Sequence, residues 1–420
     1  MTEAWPLLEL LDVCESVVDC VNKTAPLAEG ETPYKMLRTT NVRDGFVDTL
    51  NCRFVTREVF DKWTRRQIPK RGDVILTREA PLGEVGMLRD DETVFLGQRL
   101  MSYRADPSKV DANFLLYSLM GPELQAQIRA AGSGSTVEHM RVPDAERLKI
   151  RLPNLSTQQR IGTILASYDE LFLNNQRSIA ILEDMARRLF DEWFVRFRYP
   201  GHEAVPLVET EHGMVPEGWK PGTIADMSSF ISRGLAPKYD DEASSLVINQ
   251  KCIRDQALNL SPARKQSKPI PQSKLVIDGD ILINSTGVGT LGRVAQLVGT
   301  LPDATVDTHV TIVRAVEQVD LHYFGLQLLQ LQPHFERQGV GATGQTELSR
   351  TAIADTRIII PPSGLASRFG RTAGPLRCRA ELLRNQNNKL RTARDLLLPK
   401  LISGEIDVSA AEETFAEAAE

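Results

Sequence analysis

A chain of 420 residues, 42% apolar and 25% charged, is long enough for two or three domains with cores of their own and too ordinary in composition for a disordered or fibrous protein. Its five cysteines (Cys14, Cys20, Cys52, Cys252, Cys378) are odd in number and lack C-x-x-C spacing, which argues against a disulfide framework or structural zinc and for reducing cytoplasm. The net charge of −5 is an average over two basic regions and one acidic tail. The opening M-T-E-A-W-P-L-L-E-L has no basic leader and reads as no signal peptide, and apolar runs such as Arg357 to Pro362 are too short to cross a bilayer. Residues 33–78 hold eleven Lys/Arg against five acids, and residues 251–274 hold six against one. The last sixteen positions, from Glu405, carry six acids and no base. A basic run is most often a solvated face, so these charges permit a nucleic-acid partner without requiring one.

The chain repeats itself. V-R-D at Val42 answers I-R-D at Ile253, and R-G-D-V-I-L at Arg71 answers D-G-D-I-L-I at Asp278. G-E-V-G-M-L from Gly83 answers G-R-V-A-Q-L from Gly292, and Gly132–Pro153 aligns without gaps on Gly341–Pro362. The offsets are 207 to 211 throughout and fall in one order, which means two copies of one domain. Within each copy, apolar alternation punctuated by Gly and Asp predicts strands, with helical stretches near Asp111–Ala130 and Leu321–Gln338.

After each copy the period changes. Ile161, Tyr168, Asn175, Leu182 and Leu189 recur every seventh residue, as do Phe369, Leu376, Leu383, Leu390 and Leu397. Two matching heptad seams in one chain predict two long helices paired as an antiparallel coiled coil, with Asn175 as a polar residue that fixes register. Ser156 is the expected N-cap of the first helix. Gly370 and Gly374-Pro375 interrupt the first turns of the second, Pro399 kinks or stops it, and Gly404 closes it. The fold class is therefore α+β: two mixed α/β domains in tandem, separated by two long helices. The expected boundaries are 1–153 and 219–362 for the domains, 154–197 and 363–406 for the helices, 198–218 for a Pro/Gly-rich linker and 407–420 for the acidic tail.

Four motifs carry a family resemblance: L-P-N-L-S-T-Q-Q-R-I-G-T-I-L-A-S-Y-D-E-L from Leu152, M-A-R-R-L-F-D-E-W-F-V from Met185, P-E-G-W from Pro216 and L-L-P-K-L-I-S-G-E-I-D-V from Leu397. On them the chain resembles the specificity subunits of type I restriction-modification systems. The resemblance implies that each repeat is a target-recognition domain reading one half of an asymmetric bipartite site in double-stranded DNA. It implies two methyltransferase (modification) subunits docked on the helices, restriction/translocase subunits joining through them, and no membrane. It also implies no catalytic residue, metal or cofactor in this chain, with S-adenosylmethionine, ATP and Mg on the partner subunits. A stand-alone DNA-binding regulator or coiled-coil scaffold is the alternative.

The residues leave little room for chemistry. No N-P-P-Y loop, Walker loop or H-E-x-x-H occurs. G-V-G-T-L-G at Gly287–Gly292 fits a dinucleotide fingerprint, but the alternating R-V-A-Q-L-V after it predicts a strand where that fingerprint needs a helix. Base edges and phosphates call for polar and basic side chains on loops at the strand ends. The expected contacts are Arg38, Asn41, Arg43, Thr77, Arg78, Gln98 and Arg99 in the first copy. In the second they are Lys251, Arg254, Asn284, Ser285, Thr286, Thr308 and His309. Phe172, Phe190, Trp193 and Phe194, more large groups than one helical seam needs, are expected to form an exposed strip that docks the partner.

Overall fold

Glycine-aspartate turns, edge hairpins and two heptad helices account for the architecture of the computed structural model, which describes residues 5–134, 138–210, 213–338 and 347–408. Gly341 of the repeat match and residues 409–420 of the acidic tail lie outside the described residues. The chain divides into two units, Met1–Leu173 with Asn387–Glu420, and Asn174–Gln386.

The first unit is built on a six-stranded sheet in the order 14–19, 100–105, 74–78, 82–87, 45–47, 42–43. A three-stranded sheet, 53–54, 35–37, 94–96, includes a parallel pair between Lys35–Leu37 and Val94–Leu96. The second unit repeats this plan: a sheet in the order 228–233, 310–315, 281–284, 294–296, and a three-stranded sheet of 264–266, 245–248 and 304–306, again with one parallel pair. Helices 112–120 and 122–131 in the first, 321–330 and 332–337 in the second, cover one face, as the sequence pattern predicts.

The G-D-[VI]-[IL] motif has a physical origin. Gly72 and Gly279 take φ of +90° and +85°, which a side chain tolerates poorly. The turn delivers Asp73 and Asp280, both 0% exposed, to the sheet. Asp73 pairs with Arg104 through two contacts of 2.8 Å, and Asp280 with Arg314 through contacts of 2.8 and 2.7 Å. Each carboxylate also accepts a backbone N–H of its own turn, from Lys70 and from Ile277. Removing one partner of such a pair would strand a buried charge, at about 3–5 kcal/mol.

The first long helix runs Leu155–Phe190 and ends in a wider turn over Asp191–Val195. Its N-cap is Asn154 rather than Ser156: the Asn154 side-chain oxygen accepts from Thr157 N at 2.9 Å. The second runs Ser363–Ile402 without interruption, through Gly370, Gly374 and Pro375, so the expected break in its first turns is absent. Gly404, at φ +74°, closes it.

Within each unit the helices pair antiparallel. In the first, Asp169 accepts from Arg394 at 2.7 Å and Phe172 O accepts from Asn387. In the second, Asn175 donates to Gln386 at 3.3 Å, Glu183 pairs with Arg384, and Trp193 meets Phe369 edge-on. Asn175 thus lies on the seam with an amide partner across it, as a register-fixing residue requires. Seam residues complete both cores: Ile161, Leu165, Leu398 and Leu401 join the first, Ala186, Phe190, Trp193, Phe369 and Ala373 the second.

Gly162 and Gly370, 208 positions apart, explain how the helices pass the domains. A Cβ at Gly162 would lie 2.5 Å from Asp111 Oδ1, and one at Gly370 would overlap the Asp320 carboxylate. These two aspartates are equivalent N-caps, accepting from Phe114 N and from Tyr323 N respectively. The glycine that reads as a helix interruption is a close-approach site present in both copies.

Candidate nucleic-acid interface

In both units the loops at the ends of the central strands carry the polar residues singled out by the sequence, but only part of that set is available to a ligand. Thr77, Asn284 and Ser285 are 0% exposed and Asn41 is 4% exposed. Thr77 Oγ donates to Pro81 O and accepts from Glu84 N. Asn284 donates to Gln250 O and Thr290 O, and Ser285 shares a hydrogen bond with Thr311 at 2.6 Å. Asn41 accepts from Arg38 N and donates to Asn51 O. These four side chains hold their own loops together, so as base readers they are corrected: a polar residue at a strand end satisfies the backbone next to it first.

Arg78 is half-buried and donates to Met140 O at 2.9 Å, an anchoring role. Arg38 is half-buried, and its Nε has no hydrogen-bond partner among the described residues. Exposed and available are Arg43, Gln98, Arg99, Lys251, Arg254, Thr308 and His309, with Thr286 half-buried beside them. Arg43 reaches Glu84 at 3.9 Å rather than Asp44, whereas Arg254 pairs with its neighbour Asp255 at 3.4 Å. Both arginine side chains stay more than 70% exposed, at 72% and 74%. Each precedes the tip of a tight hairpin, where Asp44 and Asp255 take φ of +53° and +52°.

Three loops converge in the second unit. His309 Nδ1 is 2.8 Å from Thr286 Oγ, and that oxygen accepts from Gln250 at 2.7 Å. Asp307 accepts from His309 N at 2.8 Å beneath them, and burial pushes its carboxyl above the usual range. In the first unit Arg99 Nη2 lies 3.2 Å from Glu79 Oε1 at the equivalent place. Sequence reasoning passed over Glu79 and Gln250, each one position from a residue it chose.

Two further cations recur in register. Arg53 and Arg264, 211 apart, sit on the edge strand of the three-stranded sheet in each unit and are exposed. Arg264 lies over the Tyr239 ring at 3.7 Å, next to exposed Lys265 and Lys268. The basic stretch of the first copy exposes Arg57, Lys62, Arg65, Lys70 and Arg71.

The aromatic strip expected to dock a partner is not exposed. Phe172 is 6% exposed, Phe190 1%, Trp193 6% and Phe194 8%. Phe172 stacks on Phe46 at 5.7 Å, and the Arg391 guanidinium lies over its ring at 4.3 Å. Phe190, Trp193 and Phe194 pack with Phe369 and Tyr323, and Trp219 of the P-E-G-W motif closes on Phe194. Three of the four large groups are consumed by the second unit's own core, and Phe172 by contacts within the first.

The G-V-G-T-L-G segment joins strands 281–284 and 294–296 as a hairpin loop, with Gly287, Gly289 and Gly292 at positive φ and no helix opening from it. Among the described residues there is no cluster of three His, Cys, Asp or Glu that could hold a metal ion, and no helix long and apolar enough to cross a membrane.

Residues 2–183 match the family model described as type I restriction modification DNA specificity domain. The chain is 25% identical over 367 residues to the MjaIX specificity subunit of Methanocaldococcus jannaschii, a type I restriction enzyme, covering 85% of this chain and 82% of that one. It is 21% identical over 435 residues to the HindI specificity subunit of Haemophilus influenzae, covering 86% and 93%. A crystal structure of the S subunit of a type I restriction-modification system from M. genitalium matches over 96% of this chain and 97% of that one, with a TM-score of 0.61 at 16% identity, which shows a common fold.

Proposed function

We propose that this chain is a specificity subunit of a type I restriction-modification system, reading DNA for a modification and restriction complex and performing none of the chemistry itself. The observation that carries this reading is the twofold recurrence of one domain plan with different side chains on its exposed loops. Two such domains read two different short sequences, so the target is bipartite and asymmetric.

Affinity and sequence divide between residue classes. Arg43 with Arg254 and Arg53 with Arg264, the same cation at the same place in each unit, suit phosphates, which look alike in any sequence. Side chains that differ between the units suit base edges. Double-stranded DNA, two methyltransferase subunits and restriction/translocase subunits are the partners; S-adenosylmethionine, ATP and Mg act on those subunits and none is bound by this chain. The helices are the platform, and the complex works in the cytoplasm.

The test is co-expression with a type I methyltransferase subunit, followed by affinity purification and genome-wide sequencing of methylated sites. Co-purification and methylation at one asymmetric bipartite motif are expected. DNA binding without any methyltransferase association would favour a stand-alone regulator, and methylation at a palindrome would overturn the two-reader reading.

A further inference from the structure

Each unit presents one two-residue pair on an identical backbone frame. In the first, Arg78 N donates to Arg99 O at 2.8 Å and Met140 N donates to Arg78 O at 2.9 Å. In the second, Ser285 N donates to His309 O and Leu348 N to Ser285 O, both at 2.8 Å. Glu79 bridges to His139 and Thr286 to Glu347 in the same antiparallel sense. Glu79 and Thr286 are 207 positions apart and Arg99 and His309 are 210 apart, and the partners His139/Glu347 and Met140/Leu348 are each 208 apart, so the frames share one hydrogen-bond pattern, one residue out of step with the gapless sequence match there.

The side chains on that frame are unlike. One unit holds the Glu79–Arg99 ion pair, with Arg99 half exposed at 50%. The other holds the Thr286–His309 hydrogen bond, with His309 exposed. A scaffold function would need one chemistry in both copies, and a phosphate anchor would need a cation in both. Equal placement with unequal chemistry is what two readers of different base pairs require.

Both pairs can present an N–H donor. Glu79 pairs with Nη2 of Arg99, whose side chain is 50% exposed, and a guanidinium carries further N–H groups. Thr286 Oγ accepts from Gln250 and shares a hydrogen bond with His309 Nδ1 at 2.8 Å. In the tautomer in which Thr286 donates, the ring N–H is on Nε2, at the opposite edge. Purine N7, guanine O6 and thymine O4 are the major-groove acceptors such donors meet. Cations lie nearby: Arg141 and Arg350 are exposed, and an open cleft of about 400 Å³ is lined by Lys274, Arg350 and the Arg233–Glu347 ion pair.

Resting on the DNA-reading function above, we propose that Arg99 and His309 are the equivalent specificity-determining residues of the two units, each reading an acceptor on one base edge of its own half-site. Glu79 and Thr286 are their positioning residues.

The experiment sequences the methylated sites made by Arg99→Gln and His309→Gln in complex with the methyltransferase subunit. Both residues lie at the surface, so the variants should fold, with Tm measured alongside. Each should relax one column of the motif, at least tenfold in base preference, and the two columns should fall in opposite half-sites. Thr286→Val should relax the same column as His309→Gln, and Thr286→Ser should restore it. An unchanged motif, relaxation in both halves from one variant, or a uniform drop in methylation with no relaxed column would overturn the assignment while leaving the DNA-reading function standing. A wild-type complex without a bipartite motif would instead overturn that function, and the assignment with it.

Discussion

Single residues in this chain are decided by what lies within a few ångströms, and Gly370 shows it most sharply. The Asp320 carboxylate occupies the space a Cβ would need, and Gly162 faces Asp111 in the same way. Gly370→Ala should therefore cost about 1–3 kcal/mol through overpacking, despite the higher helix propensity of alanine. A lower Tm in thermal unfolding is the expected result, and a raised Tm would show that propensity wins. His322, on the covering helix and close against Gly374, has a buried Nδ1 without a partner among the described residues, and its carbonyl accepts from Arg377 at 3.4 Å. Burial, with the Arg377 charge, lowers its pKa from the usual 6.5. The unfolded ring takes up a proton near pH 6.5 while the folded ring stays neutral, so stability is full above that pH and falls below it. Urea unfolding between pH 7.5 and 5 should show this decline, and His322→Asn should flatten it. At this scale the sequence was least legible. Thr77, Asn284 and Ser285 look like readers because hydroxyls and amides suit bases, yet the same groups suit the backbone beside them, and only coordinates show which claim is met.

Among the elements, the helices and strands were legible because periodicity is a property of the chain itself. A heptad seam names the apolar face of a helix. It does not say what covers that face. Phe190, Trp193 and Phe194 are covered by Phe369, Tyr323 and Trp219 from the repeat's own copy, a match between residues as much as 179 positions apart that no local pattern encodes. Trp193→Ala with Phe194→Ala should consequently act on stability: each truncation removes a buried aromatic worth about 3–5 kcal/mol. Equilibrium denaturation should register the loss directly. A variant of unchanged stability that fails only to bind methyltransferase would restore these residues to a docking surface.

For the whole molecule, the relevant fact is that each helix gives one half to each unit, changing at Leu173/Asn174 in the first and Gln386/Asn387 in the second. An insertion in one helix alone would slip Glu183 from Arg384 or Asp169 from Arg394. Seven residues placed at both junctions keep the heptad phase and every pair inside each unit. They add about 10 Å of helix at ~1.5 Å per residue. At 34–36 Å per DNA turn, the unread stretch between the half-sites should grow by at most about three base pairs. Sequencing of methylated sites should show a longer spacer between unchanged half-sites; a fixed spacer would mean that the helices do not measure the distance.

The first unit also has a history imposed by its covalent order. Its sheet precedes the whole second unit in the chain, yet Arg394, which pairs with Asp169, and Leu398, Leu401 and Val408, which complete its core, follow that unit. The second unit, continuous from Asn174 to Gln386, has all its parts while the first still lacks some. Synthesis order and completion order are thus reversed: the unit begun before the other is completed after it, with Asp169 held by Arg89 and Tyr117 but lacking Arg394 until the chain beyond Gln386 has been made.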